Sequence, residues 1–146
     1  MKDLLKLRAA DPEDITIFSS LLQDAIIRVR DITWQPDLHS FIVVANRFCW
    51  EEKKSFWPFK KKHSRINTAL QVNGILGVKT NGYDTQDNEA FLNLLNIHYE
   101  AIEDNECYIR LDFSAGATIQ LHCECIDVIL SDTSESWHAI GKPDHI

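Results

Sequence analysis

Apolar residues recur at helical spacing in one early stretch of the chain. The positions are Ile15, Phe18, Leu22 and Ala25. Spacing of three or four residues predicts an amphipathic helix over about residues 12–25. Asp11 and Pro12 are typical of a helix start, because an aspartate can accept a hydrogen bond from a free backbone N–H and proline suits the first helical position.

Elsewhere the apolar pattern alternates, as in half-buried β-strands. A change of phase near Arg30-Asp31 indicates a bulge within one of these strands. The predicted strands cover about residues 4–9, 26–34, 41–50, 66–78, 91–102, 107–113 and 117–130. Asn73-Gly74 is compatible either with a hairpin turn or with a bulge in a longer strand, and the sequence leaves both open.

These elements predict an α+β fold. We expect a mainly antiparallel, strongly bent sheet or partly closed barrel of six to seven strands, with one N-terminal amphipathic helix packed on it. The chain of 146 residues has the usual size of one domain, so residues 1–146 are interpreted as a single domain. In the strand over residues 41–50 we expect Phe48 and Trp50 to be buried anchors, on the same face as Ile42 and Val44.

Composition and the arrangement of charges indicate where in the cell the protein is located. Hydrophobic residues make up 45% and charged residues 25%, which is typical of a soluble globular protein. The longest apolar runs are too short to span a bilayer, and charges interrupt the first eight residues, where a secretory signal needs an apolar stretch. The four cysteines lack the dense spacing of a disulfide scaffold. The sequence therefore predicts no membrane span and a cytoplasmic location.

Charge is distributed unevenly along the chain. The formal net charge is -7, yet residues 1–80 hold 13 Lys+Arg against 9 Asp+Glu, and the rest holds 2 against 13. An acidic protein is disfavoured as a dedicated nucleic-acid binder, because phosphates call for a basic excess.

The cluster His122-Cys123-Glu124-Cys125 has the residue types of a metal site. On a strand, however, Cys123 and Cys125 would face the core while His122 and Glu124 face the other way. His98 and His122 could face each other across the meander formed by the last three predicted strands, with Glu100 and Glu124 nearby. We expect buried free thiols, a polar outer face, and no metal or other cofactor.

Catalytic signatures are absent from the sequence. It has no glycine-rich phosphate loop, no Gly-x-Ser-x-Gly turn and no dinucleotide fingerprint. No catalytic residue is therefore assigned, and a non-catalytic role is favoured, although whether the protein is an enzyme stays open.

The segment between the third and fourth predicted strands combines cations with aromatic rings. Its candidate binding residues are Lys53, Lys54, Trp57, Phe59, Lys60, Lys61, Lys62 and Arg65. Charge can hold an anionic surface while the rings anchor the contact. We therefore predict a small binding or adaptor domain that contacts an anionic partner, either an unknown protein or a second copy of the chain. A small enzyme whose site is invisible in linear sequence and a structural subunit are the alternatives.

Three stretches carry a family resemblance: residues 46–51 (NRFCWE), 115–121 (AGATIQL) and 125–127 (CID). With them the chain resembles an uncharacterised alphaproteobacterial family, the domain of unknown function DUF2948. The resemblance runs nearly end to end and implies a bacterial, cytoplasmic, single-domain protein. Residues 55–62 depart from the family pattern, so a role for the basic segment would not extend to the whole family.

Overall fold

The computed structural model describes residues 4–50 and 64–133, which form an α+β fold with a mostly antiparallel sheet. Within these residues there are nine strands and one α-helix. The helix α1 covers Pro12–Leu21. The strands are β1 Lys6–Ala9, β2 Ile26–Gln35, β3 Ser40–Phe48, β4 Arg65–Asn73, β5 Ile75–Asn81, β6 Phe91–Ala101, β7 Cys107–Phe113, β8 Thr118–Cys123 and β9 Val128–Asp132.

Helix α1 begins as its sequence predicts. The Asp11 carboxylate accepts a hydrogen bond from the Asp14 N–H at 3.1 Å, and the Asp14 carboxylate accepts one from the Ala10 N–H at 3.0 Å. Ile15 and Phe18 are buried against the sheet. The helix ends four residues earlier than predicted, but Leu22 and Ala25 after it are still buried in the core. No helix in the described ranges is long and apolar enough to cross a membrane.

The sheet has the strand order β1-β9-β4-β3-β2-β6-β7-β8-β5 and is not closed. The prediction of six to seven strands is wrong because two long predicted strands each break in two. One break lies at Gly74, whose φ of +70° favours glycine. The other lies at residues 124–127. Two backbone hydrogen bonds of 2.9 Å, from Asn73 N to Asp127 O and from Glu124 N to Gly74 O, join the two breaks.

These breaks answer the question that Asn73-Gly74 left open. β4 pairs with β3 and β9, whereas β5 pairs with β8, so the two strands do not form a hairpin with each other. Gly74 instead redirects one long strand from one ladder into another. The predicted bulge in β2 is confirmed, because the register against β3 shifts between Ile27 and Ile32.

One hydrophobic core joins the inner face of the sheet to helix α1. In β3 that inner face carries Phe41, Val43 and Ala45, which are all buried. The prediction that Phe48 and Trp50 are buried anchors is wrong for Trp50, which is 38% exposed, and Phe48 is only half-buried. The error is one of phase, because a shift of one residue exchanges the two faces of a strand.

Candidate functional site

Of the candidate residues of the basic site, Arg65 falls within the part of the chain that the structure describes, as the first residue of β4. It lies opposite Phe48 in the β3–β4 ladder. Its guanidinium carbon lies 3.9 Å from the centroid of the Phe48 ring, which is a cation–π contact. The other candidates, Lys53, Lys54, Trp57, Phe59, Lys60, Lys61 and Lys62, lie outside the described residues.

Hydrogen bonds fix the orientation of the Arg65 side chain. Its Nε donates to the Asn46 side-chain oxygen, and its terminal nitrogen donates to the Asn46 carbonyl oxygen at 3.0 Å. Asn46 is buried and donates in turn to the Asn67 side chain at 3.2 Å. Burial lowers the pKa of Arg65 and the nearby Asp24 carboxylate opposes this, but an arginine stays protonated under ordinary conditions. A fixed positive charge therefore stands where the basic segment enters β4.

Trp50 extends this cluster at the other end of the segment. Its ring centroid lies 5.1 Å from that of Phe48, and its indole N–H donates to the Gln23 carbonyl at 3.0 Å. The tethered ring is 38% exposed. We call Phe48, Trp50 and Arg65 the aromatic–cation cluster. Its aromatic residues, Phe48 and Trp50, were predicted only as buried anchors, because the β3–β4 register that places Phe48 opposite Arg65 is not visible in the sequence.

A buried ion pair lies on the inner face at the same end of β3. Arg47 donates to Asp132 through Nε at 3.0 Å and through a terminal nitrogen at 2.8 Å, with both side chains at most 1% exposed. Asp132 also accepts the Leu5 N–H at 2.9 Å. These bonds satisfy the carboxylate, and the pair fastens β3 to β9 on the face of β3 opposite to that of Phe48.

The cysteines only partly follow the prediction. Cys49, Cys107 and Cys123 are buried, but Cys125 is exposed because the chain leaves the strand after Cys123. A hydrogen bond with Cys107 and burial raise the pKa of Cys123, so this thiol stays neutral. No group of three or more His, Cys, Asp or Glu in the described ranges is arranged to hold a metal ion.

The histidines predicted to face each other are separated by β7. His98 lies opposite Arg110 and contacts Asp112 at 2.9 Å. His122 lies opposite Tyr108 and contacts Glu106 at 2.7 Å. His98 and His122 therefore do not face each other directly, because β6 and β8 each pair with β7. Glu100 lines a cleft with His98, but the carboxylates in contact with the two histidines are Asp112 and Glu106.

An apolar cleft of about 400 Å³ lies where β2 meets β6. It is lined by Ile26, Phe91, Leu92, Asn93 and Ser114. The Arg28 guanidinium carbon lies 4.7 Å from the centroid of the Phe91 ring. Among the described lining residues, Asn93 and Ser114 provide one amide and one hydroxyl as polar groups.

Comparison with known proteins identifies the family of the chain. No curated protein and no solved structure matches it. A family model described as "Protein of unknown function (DUF2948)" matches residues 5–145, nearly the whole sequence. The family predicted from the sequence is thereby confirmed, while the alphaproteobacterial origin stays a prediction, and the chain belongs to the DUF2948 family.

Proposed function

We propose that this protein is a non-catalytic binding domain that contacts an acidic surface of a partner protein. The contact surface combines the aromatic–cation cluster with the basic segment at Lys53, Lys54, Trp57, Phe59 and Lys60 to Lys62. The observation that carries the proposal is the Arg65 guanidinium, held against Phe48 by its bonds to Asn46.

Several properties of the cluster suit a contact surface. Arginine and tryptophan are the residue types that most often dominate protein interfaces, and their side chains bind best when they are already ordered. Arg65 and Trp50 are both tethered by hydrogen bonds to backbone carbonyls, so little side-chain entropy is lost on binding. Buried Asn46 holds Arg65, and Arg47 donates to the carbonyl of Phe48 at 3.0 Å.

The basic segment adds long-range attraction. Between residues 53 and 65 the sequence has six Lys or Arg and no carboxylate. Such a segment raises the association rate with an acidic surface and sets its orientation, and the attraction falls with added salt. Nucleic acid is disfavoured as the partner because the whole chain carries a net charge of -7.

A charge-reversal experiment tests the electrostatic part. Lys60, Lys61 and Lys62 are changed together to Glu, and the matched control changes the same three residues to Arg. Binding to a polyglutamate peptide and self-association by analytical ultracentrifugation are measured at low and moderate salt. We expect the Glu variant to bind polyglutamate at least about tenfold more weakly and the Arg variant to bind as the parent does. Equal binding by all three proteins would refute this part.

The cluster is tested separately by Trp50→Ala, with Leu38→Ala as the control because Leu38 is exposed at 68%. We expect Trp50→Ala to weaken polyglutamate binding at least about threefold, while its unfolding free energy falls by about 1 to 2 kcal/mol for the lost indole hydrogen bond and ring contact. The Leu38 variant should change neither. A Trp50 variant that binds as the parent does would remove the cluster from the contact surface.

A further inference from the structure

A row of polar side chains crosses four strands on the outer face of the β5–β8–β7–β6 region. Lys79 lies opposite Gln120, Gln120 opposite Arg110, and Arg110 opposite His98. Residues directly opposite each other in an antiparallel sheet point to the same face. The row therefore places a lysine, an amide, a guanidinium and an imidazole side by side on one surface.

A cleft of about 290 Å³ opens at the Lys79 end of this row. Its lining residues are Lys79, Thr80, Asn81, Arg110, Thr118 and Gln120. Of these described residues, Lys79, Arg110, Asn81, Thr118 and Gln120 lie on the outer face, whereas Thr80 lies opposite buried Ile119 and points to the inner face. The five outer residues provide two cations, two amides and one hydroxyl. Such a set offers hydrogen-bond donors on several sides of the cleft, which is the chemistry that holds a phosphate group.

The two cations of this cleft differ in how they are held. Arg110 donates to Asp112 through Nε at 2.8 Å and through a terminal nitrogen at 3.3 Å. These bonds orient the guanidinium, and the hydrogen bond and the charge of Asp112 raise the pKa of Arg110. Asp112 also contacts His98. Lys79 forms no ion pair with another residue of the described ranges, so its charge is available to a ligand.

A second cleft of about 260 Å³ adjoins the first and shares Arg110 and Gln120 with it. Its other lining residues are His98, Tyr99, Glu100 and Tyr108. Aromatic rings provide faces on which a flat or cyclic group can pack, and a carboxylate accepts hydrogen bonds from hydroxyl or amino groups. The two clefts therefore differ in chemistry while forming one continuous surface.

We propose that these clefts together bind a small phosphate ester. Its phosphate lies between Lys79 and Arg110. Its ring packs beside Tyr108, and its hydroxyl groups donate hydrogen bonds to the Glu100 carboxylate. A phosphate monoester has close to two negative charges and three free oxygens. The ammonium of Lys79, the N–H groups of Arg110 that Asp112 does not engage, and the neighbouring neutral donors can bind these oxygens. Nucleoside monophosphates and sugar phosphates share this chemistry. The site uses strands other than those of the aromatic–cation cluster, so it is independent of the contact proposed above.

Calorimetric titration of the whole protein tests the site. The probes are inorganic phosphate, adenosine monophosphate and glucose 6-phosphate, with adenosine and glucose as uncharged counterparts, all at constant ionic strength. We expect saturable binding of phosphate, tighter binding of at least one ester, and no binding of the uncharged counterparts. Tighter binding of adenosine monophosphate would indicate a nucleotide ligand, and tighter binding of glucose 6-phosphate would indicate a sugar phosphate.

Substitutions locate the binding on the surface. Lys79→Gln is expected to weaken binding of phosphate and ester at least about tenfold, because a charge-assisted hydrogen bond is lost. Lys6→Gln is the matched control, since Lys6 is also an exposed lysine on the terminal strand of the sheet order, at the opposite end. Glu100→Gln should weaken binding of the ester but not of inorganic phosphate.

Three results would overturn the proposal. The first is no saturable binding of any phosphate probe. The second is an equal loss of phosphate affinity in the Lys79 and Lys6 variants, which would indicate nonspecific electrostatic attraction. The third is equal affinity for phosphate and both esters, which would exclude the second cleft. Circular dichroism of each variant establishes that the fold is kept. Polyglutamate binding by Lys79→Gln should equal that of the parent, which keeps this test separate from that of the proposed contact.

Discussion

Replacing Asp132 by Asn removes one partner of the buried ion pair and leaves the other charged. Arg47 is fully buried, and Asp132 is the carboxylate that accepts two of its hydrogen bonds. A buried arginine without its carboxylate costs about 3 to 5 kcal/mol. This is a large part of the roughly 5 to 15 kcal/mol by which a typical domain is stable. Asp132→Asn should therefore lower the unfolding free energy by about 3 to 5 kcal/mol.

Urea denaturation at neutral pH measures this loss, and a second aspartate provides the control. Asp127 contacts Arg8 at the same 2.8 Å, but the Arg8 side chain is 66% exposed. Exposed pairs contribute about 0 to 1 kcal/mol, so Asp127→Asn should have a small effect. A loss of less than about 1 kcal/mol in Asp132→Asn, or equal losses in the two variants, would refute the assignment of burial as the cause.

The same variant has a distinct pH dependence. Burial alone would raise the pKa of Asp132, but hydrogen bonds from Arg47 and the Leu5 N–H, together with the charge of Arg47, lower it overall. A carboxylate with a lowered pKa stabilises the fold above its unfolded-state pKa, and this stabilisation is lost as the pH falls through the folded-state pKa. The difference in unfolding free energy between parent and Asp132→Asn should therefore shrink in acid.

Two further predictions concern a glycine and a cysteine. Gly82→Ala should destabilise the fold by more than about 1 kcal/mol, because Gly82 has a φ of +84° and an added Cβ would lie 2.6 Å from the Gly116 carbonyl oxygen. Gly77→Ala is its control, with no atom within 4 Å of the added Cβ, and equal melting temperatures would contradict the steric argument. Under native conditions Cys125 should react with iodoacetamide well before buried Cys123, as followed by mass spectrometry. Simultaneous modification of the two thiols would contradict their assigned burial.

Local chemistry in the sequence predicts the elements that depend on neighbouring residues. The start of α1 at Asp11 and the bulge in β2 are both visible in the amino-acid pattern, because capping and a change of strand phase are short-range effects. The buried positions of Cys107 and Cys123 also follow from alternation alone. The class of the fold could be predicted for the same reason.

Long-range register could not be predicted in the same way. The break at Gly74 depends on which strand pairs with which, and Trp50 was placed on the wrong face by a shift of one residue. Lys79 and Arg110 are far apart in the sequence and come together only through the ladders of β8. The contact between the basic segment and an acidic partner stays a prediction. The cytoplasmic location also stays a prediction.

The position of β9 in the sheet constrains the order in which the chain can fold during synthesis. β1 is made first, yet it pairs with β9, which is made last among the described strands and also pairs with β4. Among the described strands, β1 therefore has no partner until about residue 132 has left the ribosome. Until then the edge of β4 that pairs with β9 has unpaired backbone groups, and the Arg47 guanidinium lacks the Asp132 carboxylate. Late pairing of distant segments is typical of slow folding, and unpaired strand edges favour aggregation until β9 has paired.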